Sequence, residues 1–592
     1  MSTVVRPLFT RSITTLIPRK PLSKQILTND PTSEILEKLC YFKKTSSGLF
    51  HLLPLGIRTT DKFTQIVHDK LRINNDASYL SLSSISPKQL WQATNRWDNT
   101  ELFKLKDSKK NDFCLVATCE EDITELMKTF ITSYKDMPIL AYQVGKKYRD
   151  ELRPRSGLLR GREFIMMDAY SFAKNDTEAS KMFKDVNKTF YEIFQELKIP
   201  VVRAWADSGD IGGDQSIEYH MPLMTGESTI FTCNKDKCNH VATDEKAISY
   251  PKEEGDFTGD VDVKYGLSED HSTLICYYFP KGRQLNWNLA KAAVDSDIDS
   301  KLRDVPNEQV IEFFQNENED MMFTKILRVM DIRINSRSNF PDFPLRSYLK
   351  NNFGQIDNIS IVNAVDEELC GQCGTGELHS QKSIEVAHTF NLDTKYSKPL
   401  QLKFMDQKNN SDCLVKMGCY GIGITRVIAS IAEFTRDSHG LRWPSSISPY
   451  YASIVTAPTK PSKGSESASL SNENYEKIVT MFKQDTKWAG NIMSDFNRTA
   501  SMGTNISLSH SMGIPMTIIV GNKSWPKVEI EVRGKKWDTT GKPTAWEQKY
   551  PELEDKFGWE VVKANPMDAF EEKHIVSHEH VVEVANLLLQ DL

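Results

Sequence analysis

The chain has 592 residues, of which 39% are apolar and 26% are charged, proportions typical of a globular protein of two to four domains. No apolar run approaches the ~20 residues needed to cross a bilayer, and ten scattered cysteines do not suit a disulfide-dense secreted scaffold. A net charge of −6 excludes a uniformly basic surface. We therefore expect no membrane insertion, and a nucleic-acid partner would have to bind a local basic patch.

The N-terminal segment differs in composition from the rest of the chain. Five basic residues and eight serines or threonines precede the first acidic residue, Asp30, and no apolar signal-peptide core is present. This composition is typical of a mitochondrial transit peptide, with a disordered basic tail as the alternative. We expect residues 1–30 to direct the protein to the mitochondrial matrix.

Thr118 and Glu120 are the first candidate ligand-binding residues along the chain. If they lie on one edge of a strand, side chains two apart face the same ligand, and a buried carboxylate pairs naturally with an amino group. Alternatively, Thr118 caps a helix and Glu121 occupies the capping-box position. The spacing alone leaves both readings open.

A strand–loop–strand segment between Tyr148 and Phe164 carries five arginines and a glutamate, Glu151. So many guanidinium groups favour an anionic ligand such as ATP, with Glu151 accepting from the adenine amine. A salt-bridged surface hairpin is the alternative.

The apolar residues from Met182 to Leu197 recur at helical spacing before Pro200, which predicts a helix packed on the core.

Residues 246–363 begin with a charged, glycine-rich stretch and are interpreted as an insertion. Two cysteine pairs flank them: Cys233 with Cys238, and Cys370 with Cys373. Four thiolates from two turns suit tetrahedral Zn²⁺, but the four-residue gap in the first pair is loose. We expect free cysteines here, with a structural Zn²⁺ as the alternative; the other six cysteines have no metal-ligand spacing.

Past the insertion, a strand over Leu414–Met417 is predicted to lead through Gly421 and Gly423 into an apolar helix. Glycines let a phosphate approach the backbone, and Arg426 in the first helical turn could reach it, although such turns also serve packing alone. Residues 461–474 are polar and predict a linker. Strands over Met516–Val520 and Val528–Val532 and a closing helix over His574–Leu592 predict an α/β domain.

Together these segments resemble the bacterial-type prolyl-tRNA synthetases, a class II family. The arginine-rich hairpin is similar to motif 2, the glycine–arginine segment to motif 3, and Thr118–Glu120 to the proline-binding loop. The resemblance extends to four further stretches: Trp91–Trp97, Arg162–Phe172, Gly212-Gly213 with Glu218, and Ile384–Tyr396. It implies an α/β fold whose catalytic domain, built on an antiparallel sheet, spans residues 31–245 and 364–447. A reduced editing-like insertion at 246–363 and an anticodon-binding domain at 448–592 complete the expected organisation.

The resemblance also implies substrates and site residues. The expected activity is ATP-dependent activation of proline and its transfer to tRNA(Pro) by a homodimer that uses Mg²⁺. Arg149 would contact the α-phosphate and the proline carboxylate, Glu151 the adenine, and Arg160 and Arg426 the γ-phosphate. The other implied residues are Gly421 and Gly423 beside ATP, Thr118, Glu120 and His388 at proline, Glu218 at Mg²⁺, and Arg498 at the anticodon.

The chain departs from the family pattern at four positions. Ser83 replaces the motif 1 proline, Cys119 a common histidine, and Ala387 a common glycine. Ser272 stands where the lysine of the editing domain would be, so we expect no cis editing of alanyl-tRNA. Two alternatives remain: a synthetase for threonine or serine, and a non-catalytic accessory protein, which would usually have lost the phosphate-binding arginines.

Overall fold

The computed structural model describes residues 16–209, 211–213, 215–252, 258–318, 324–345, 350–407, 411–456, 466–494, 500–534, 543–565 and 568–592. They form two compact units. The first unit comprises the chain up to Pro200 together with Asn391–Leu592, and the second comprises Val201–Phe390. Among the described residues, no helix combines the length and the apolar composition needed to cross a bilayer.

The N-terminal section of the first unit mixes helices with short strands. Its helices are α1 (Lys24–Asn29), α2 (Thr32–Lys38), α3 (Pro54–Asn75), α4 (Lys88–Ala93), α5 (Glu120–Met127) and α6 (Asp176–Glu196). Its strands are β1 (Phe42–Ser46), β2 (Leu49–Leu52), β3 (Ser78–Tyr79), β4 (Ile85–Pro87), β5 (Lys104–Lys106), β6 (Asp112–Leu115), β7 (Ile139–Tyr148) and β8 (Glu163–Ala173). Short 3₁₀ turns occupy Tyr134–Asp136 and Gly157–Leu159. The predicted helix before Pro200 is confirmed as α6, which Asn175 caps by accepting from the Glu178 amide.

The second unit contains two groups of strands. Its strands are β9 (Val202–Trp205), β10 (Gln215–Pro222), β11 (Ser228–Cys233), β12 (Val241–Thr243), β13 (Ser249–Tyr250), β14 (Val261–Leu267), β15 (Thr273–Pro280), β16 (Lys325–Asp331), β17 (Phe353–Ile359), β18 (Leu369–Cys370) and β19 (Leu378–Asp393), within which the chain leaves the unit. Its helices are α7 (Trp287–Ala293) and α8 (Asn307–Glu317), with 3₁₀ turns at Ser300–Leu302 and Lys350–Asn352. One group has the order β10-β9-β12-β11-β19, and β10 also pairs with β19. The other is a four-stranded sheet, β14-β15-β16-β17, and β13 pairs with β18.

The C-terminal section of the first unit also contains both helices and strands. Its helices are α9 (Ser397–Leu400), α10 (Ile424–Thr435), α11 (Glu466–Gln484), α12 (Met502–Ser511), α13 (Ala545–Phe557) and α14 (Val581–Asp591), with a 3₁₀ turn at His578–His580. Its strands are β20 (Lys403–Met405), β21 (Asp412–Leu414), β22 (Lys416–Ile422), β23 (Ala452–Thr456), β24 (Ile492–Met493), β25 (Met516–Val520), β26 (Lys527–Val532), β27 (Glu560–Lys563) and β28 (Glu572–Ser577). Strands β23 to β28 form one sheet, and its core includes Ile454, Ile518 and Leu588. The predicted strands over Met516–Val520 and Val528–Val532 are therefore confirmed.

A sheet with the order β3-β7-β8-β22 runs through the first unit. Strands β7 and β8 form a long antiparallel hairpin, from Ile139 opposite Phe172 to Tyr148 opposite Glu163. Strand β22 pairs antiparallel with β8, and Gly421 lies opposite Asp168. The loop of the hairpin and the end of β22 therefore come from neighbouring strands of one sheet.

Three local predictions were wrong. The linker over 461–474 overlaps α11, which begins at Glu466; its later turns bury Tyr475, Ile478 and Phe482 at helical spacing, and this packing supports the helix. The closing helix does not begin at His574, because residues 572–577 alternate between buried and half-buried positions in β28. The predicted strand over Leu414–Met417 is also displaced, since β22 runs on through Gly421 to Ile422.

Candidate active site

Thr118 and Glu120 lie where the chain enters helix α5. Neither reading of their spacing was right: strand β6 ends at Leu115, Cys119 is the residue before the helix, and no side chain caps it. The Cys119 amide instead donates to the Tyr170 hydroxyl at 3.1 Å, and that hydroxyl donates to Asp168. The start of α5 is therefore fixed from the neighbouring strand β8.

Arg96 joins the two predicted residues. Its guanidinium donates to Thr118 Oγ1 at 2.9 Å and to Glu120 Oε2 at 3.2 Å, and it also contacts Glu121 Oε1 at 3.0 Å. All three charged side chains are nearly inaccessible, with exposed fractions of 9% for Arg96, 1% for Glu120 and 0% for Glu121. Cys419 on β22 donates its thiol to Glu120 Oε1 at 3.1 Å. One cation thus holds two adjacent carboxyl groups and one hydroxyl in a fixed arrangement.

The two carboxyl groups titrate differently. Burial would raise the pKa of Glu120, but the Arg96 charge and hydrogen bonds from Thr118 and Cys419 keep it below its usual range. For Glu121, burial prevails over the attraction of Arg96 and raises the pKa to about 7. A single guanidinium stabilises one carboxylate better than two, because two adjacent carboxylates repel each other. Glu120 is accordingly the charged member of the pair.

The loop of the β7–β8 hairpin presents the predicted motif 2 residues. Arg149 is half-exposed, and its guanidinium lies over the Phe164 ring, 5.2 Å from the centroid. Glu151 pairs with Arg160 through an Nε–Oε2 distance of 2.8 Å. Arg162 donates to the Glu151 carbonyl at 3.1 Å and so fixes the backbone of the loop. The hairpin thus brings Glu151 and Arg160 into direct contact.

Helix α10 brings Arg426 to the same loop. Gly421 lies within β22, Gly423 is the residue before the helix, and Arg426 is half-buried in the first turn. The Arg426 Nε donates to the Leu159 carbonyl at 2.9 Å. Arg426 and the motif 2 loop are therefore neighbours, although they are more than 250 residues apart in the chain. Several half-exposed guanidinium groups in one place form a surface suited to a polyphosphate.

Glu218 and His388 lie together in the second unit. His388 Nδ1 is 3.6 Å from Glu218 Oε1 and 3.3 Å from Glu385 Oε1, and one ligand atom of each lies within 4.8 Å of the others. The His388 ring is also hydrogen-bonded to Ser216 and stacked on Phe390. The two carboxylates present the oxygen ligands that Mg²⁺ prefers, whereas the imidazole nitrogen does not suit it. Glu218 with Glu385 therefore fits Mg²⁺, and His388 is held by its own neighbours.

The four cysteines that flank the predicted insertion also meet in the second unit. Cys233 Sγ is 3.7 Å from Cys373 Sγ, and Cys238 Sγ is 3.9 Å from Cys370 Sγ. All four sulfur atoms lie within 4.8 Å of one another. The two cysteine pairs therefore meet, as the zinc alternative requires, and the metal itself stays a prediction.

Comparison with known proteins identifies the family. Residues 103–435 match the family described as tRNA synthetase class II core domain (G, H, P, S and T). The probable mitochondrial proline–tRNA ligase of Saccharomyces cerevisiae is 49% identical over 573 residues, which cover 97% of each chain. The cytoplasmic proline–tRNA ligase of Candida albicans is 42% identical over 583 residues, 96% of each chain. The chain belongs to the proline–tRNA ligases.

The fold agrees with membership of the proline–tRNA ligases. The structure of a prolyl-tRNA synthetase from Giardia lamblia in complex with prolyl-adenylate superposes with a TM-score of 0.54 at 14% identity, covering 88% of this chain and 75% of that one. At this identity the likeness shows a shared fold. The predicted class II synthetase fold, with its antiparallel sheets, is thereby confirmed.

Sequence reasoning missed two residues that the structure brings together with the predicted ones. Arg96 lies inside a stretch that resembled the family, yet no role was assigned to it. A signal was present, because two adjacent glutamates in an apolar segment require a cation when buried. Glu385 was missed because residues three apart on a regular strand point to opposite faces. Arg498 lies outside the described residues.

Proposed function

We propose that the protein activates proline with ATP to give prolyl-adenylate and then transfers the prolyl group to tRNA(Pro). The observation that carries this proposal is the meeting of Arg426 with the motif 2 loop of Arg149, Glu151 and Arg160, in a chain that belongs to the proline–tRNA ligases. A non-catalytic relative would have no need to keep these charges together.

In the first step, a carboxylate oxygen of proline attacks the α-phosphorus of ATP and pyrophosphate leaves. Arg149 would hold the α-phosphate and the proline carboxylate, and Arg160 and Arg426 the γ-phosphate. Glu151 would accept from the adenine amine, and the backbone at Gly421 and Gly423 would lie beside the nucleotide. Fixed guanidinium groups stabilise the negative charge that builds up on the phosphates, so positioning and electrostatics suffice without a protein nucleophile.

Proline would be recognised by Thr118, Glu120 and His388. The low pKa of Glu120, which Arg96 maintains against burial, supports a carboxylate ready to pair with the secondary ammonium of proline. Arg96 would act as the positioning residue, because it holds Thr118 and Glu120 at once. The ring of His388 is fixed by Ser216 and Phe390, which suits a positioned ring better than a proton carrier.

Glu218 and Glu385 would hold the Mg²⁺ that accompanies ATP. Such an ion, when bound, neutralises charge on the phosphates. His220 would keep Glu218 in place, because its Nε2 lies 2.6 Å from Glu218 Oε2 and its Nδ1 contacts the Ser383 hydroxyl.

We also propose the domain assignment made from the sequence. The sheet β14–β17 lies wholly within 246–363, which supports a separate insertion, and the sheet β23–β28 lies wholly within 448–592, which supports an anticodon-binding domain containing Arg498. The exposed apolar side chains of Tyr79 and Ile85, on either side of Ser83, support a homodimer interface there. Analytical ultracentrifugation that found only monomers would overturn the dimer.

The insertion is proposed to lack cis editing. Ser272 carries a neutral hydroxyl, which donates to Asp270 at 2.8 Å, where the family uses a lysine. A pocket for proline rejects alanine weakly, since each missing methylene contributes only about 1–3 kcal/mol. Alanyl-tRNA should therefore persist when incubated with the purified protein, and rapid deacylation would contradict the proposal.

The decisive experiment is ATP–pyrophosphate exchange driven by proline, compared with exchange driven by threonine, serine or alanine. Exchange should be strongest with proline. Arg149→Ala should lower it by about 10²-fold or more, as removal of a single charge-stabilising donor does in other enzymes. Arg153→Ala is the matched control, since Arg153 is an exposed arginine of the same loop with no assigned role. Near-normal exchange in Arg149→Ala would refute the assignment, and ATP binding without exchange would favour an accessory protein.

A further inference from the structure

Two short turns of the second unit bring four sulfur atoms together. The first turn, Cys233–Cys238, follows β11, and the second, Cys370–Cys373, follows β18. Two Sγ–Sγ distances between the turns are 3.7 Å, from Cys233 to Cys373, and 3.9 Å, from Cys238 to Cys370. A tetrahedron of thiolates around Zn²⁺ with bonds of about 2.3 Å has edges of about 3.8 Å, which these two separations match, and all four sulfurs lie within 4.8 Å of one another.

The backbone of each turn has the shape of a metal-binding knuckle. The residue after the second cysteine is left-handed in both turns, with φ of 49° at Asn239 and 64° at Gly374. Each turn closes on itself, since the Cys238 amide donates to the Lys235 carbonyl at 2.9 Å and the Gly374 amide to the Cys370 carbonyl at 2.8 Å. Both segments are thus compact turns followed by a left-handed residue, although they close through different hydrogen bonds.

The surroundings of the sulfurs suit a thiolate cluster. The Gly376 amide lies 3.3 Å from Cys373 Sγ and donates to it, as amides do toward metal-bound thiolates. A Cβ at Gly376 would lie only 2.4 Å from Cys233 Sγ, so a side chain there would fill the space the sulfur occupies. The first turn also carries two lysines, Lys235 and Lys237, opposite in sign to the net charge of −2 that four thiolates and one divalent ion would carry.

We propose that Cys233, Cys238, Cys370 and Cys373 bind one structural Zn²⁺. Four protein ligands leave no open coordination position, which is the mark of a structural rather than a catalytic site. The chemistry of four thiolates at tetrahedral spacing also suits iron, so metal identity belongs in the test. Binding replaces the thiol protons with the metal, and the protons pass to solvent.

The metal would link the two segments through which the chain enters and leaves the insertion. Strand β13, which leads into the insertion, pairs with β18, which leads out of it, with Ser249 opposite Cys370. Cys233 lies opposite Leu378, at the start of β19. One ion would therefore tie β11, β18 and the start of β19 together, so that the insertion is anchored at both ends.

The test is metal analysis of the full-length protein, purified from zinc-supplied cells without chelators. We expect about one zinc per chain, and its replacement by Co²⁺ should give the visible absorption of tetrahedral cobalt thiolates. Cys238→Ser and Cys373→Ser should lose the metal and these bands, whereas Cys413→Ser, a half-buried cysteine of β21, should retain both.

Three results would overturn the proposal, and none needs a variant to fold. The first is wild-type protein with less than about a tenth of an equivalent of zinc whose four cysteines all react with an alkylating reagent before denaturation. The second is iron with the absorption of an iron–sulfur cluster in place of zinc. The third is peptides cross-linked by disulfides among these cysteines in the unreduced protein. Each outcome is independent of whether proline is activated.

Discussion

Arg96 provides the sharpest test of how the proposed proline pocket is held together. Replacing it with methionine keeps much of the length of the side chain but removes the only cation that contacts Glu120 and Glu121 among the described ion pairs. Both carboxyl groups are 1% exposed or less, so water cannot take over from the guanidinium. The buried pair must then become less ionised or the start of α5 must open.

The loss can be worked out from protonation. A carboxyl group with the reference pKa of 4.5 gains a proton at pH 7 at a cost of about 3.4 kcal/mol, because each pH unit contributes about 1.36 kcal/mol. Glu121, with a pKa of about 7, already holds its proton about half the time, so the new cost falls mainly on Glu120. We expect Arg96→Met to lower the local free energy of opening by about 3–4 kcal/mol at pH 7, close to the general cost of breaking a buried ion pair.

The pH dependence of this loss tests the protonation argument more sharply than its size does. In the variant the folded state retains a proton on Glu120 that the unfolded chain releases above pH 4.5, so stability falls as the pH rises. The loss caused by Arg96→Met should therefore shrink to about 1–2 kcal/mol at pH 5.5. Adding Glu120→Gln should remove most of the pH dependence, because the amide has no proton to gain.

Native-state hydrogen exchange of the α5 amides at pH 5.5 and 7, corrected for intrinsic exchange rates, measures this opening in a chain with more than one unit. Lys104→Met is the matched control, since it removes an exposed cation near Trp97 and should change α5 by less than about 0.5 kcal/mol. An equal loss at both pH values would refute the protonation argument. A loss below about 1 kcal/mol at both would show that Arg96 is not the counter-ion.

The remaining predictions concern the insertion and the N-terminus. Burial would raise the pKa of Glu368, but hydrogen bonds from Arg283 and Arg333 lower it to about 2; its contribution, about 1–2 kcal/mol after allowance for solvent screening, should be present above about pH 4.5 and disappear as the pH falls toward 2. Glu368→Gln should lose that pH dependence in acid unfolding of the second unit, and an unchanged acid transition would contradict the assignment. Residues 1–30 fused to a fluorescent reporter should carry it into mitochondria, and a cytosolic reporter would reject the transit peptide, a real outcome since relatives of both locations exist. The buried side chains of Ile17 and Leu27 lead us to propose that any cleavage lies before Ile17, which N-terminal sequencing of the mature protein would check.

Local sequence patterns predicted the elements that contain a continuous apolar run or a single apolar face. Helix α6 and strands β25 and β26 are of this kind, and each was found where the sequence predicted it. The errors lie where two patterns compete within a few residues. Residues 572–577 look helical when read with the apolar run that follows them, but pairing with β26 imposes a two-residue period on their burial.

The part of the site that the sequence could predict is the part whose charged residues lie close together in the chain. Five arginines around one hairpin indicate an anion without knowledge of the fold, and Arg426 joins them only because β22 lies beside β8 in the sheet. Arg96 and Glu120 are 24 residues apart and belong to different elements, so nothing local connects them. The requirement that a buried charge be paired was available from the sequence, but the identity of the partner was not.

The cysteines show what backbone geometry adds to spacing. Spacing alone favours free thiols over a metal, because one pair is separated by four residues and 131 residues lie between Cys238 and Cys370. Two features that the spacing does not contain favour a metal over free thiols. They are the left-handed residue after each second cysteine and the glycine that makes room for Cys233 Sγ. A turn that merely closed a hairpin would need neither its sulfurs inside nor a second turn with cysteines facing it. Their joint presence fits sulfurs arranged about a common ligand, and it is for this reason that we favour zinc over the free thiols that the spacing suggested.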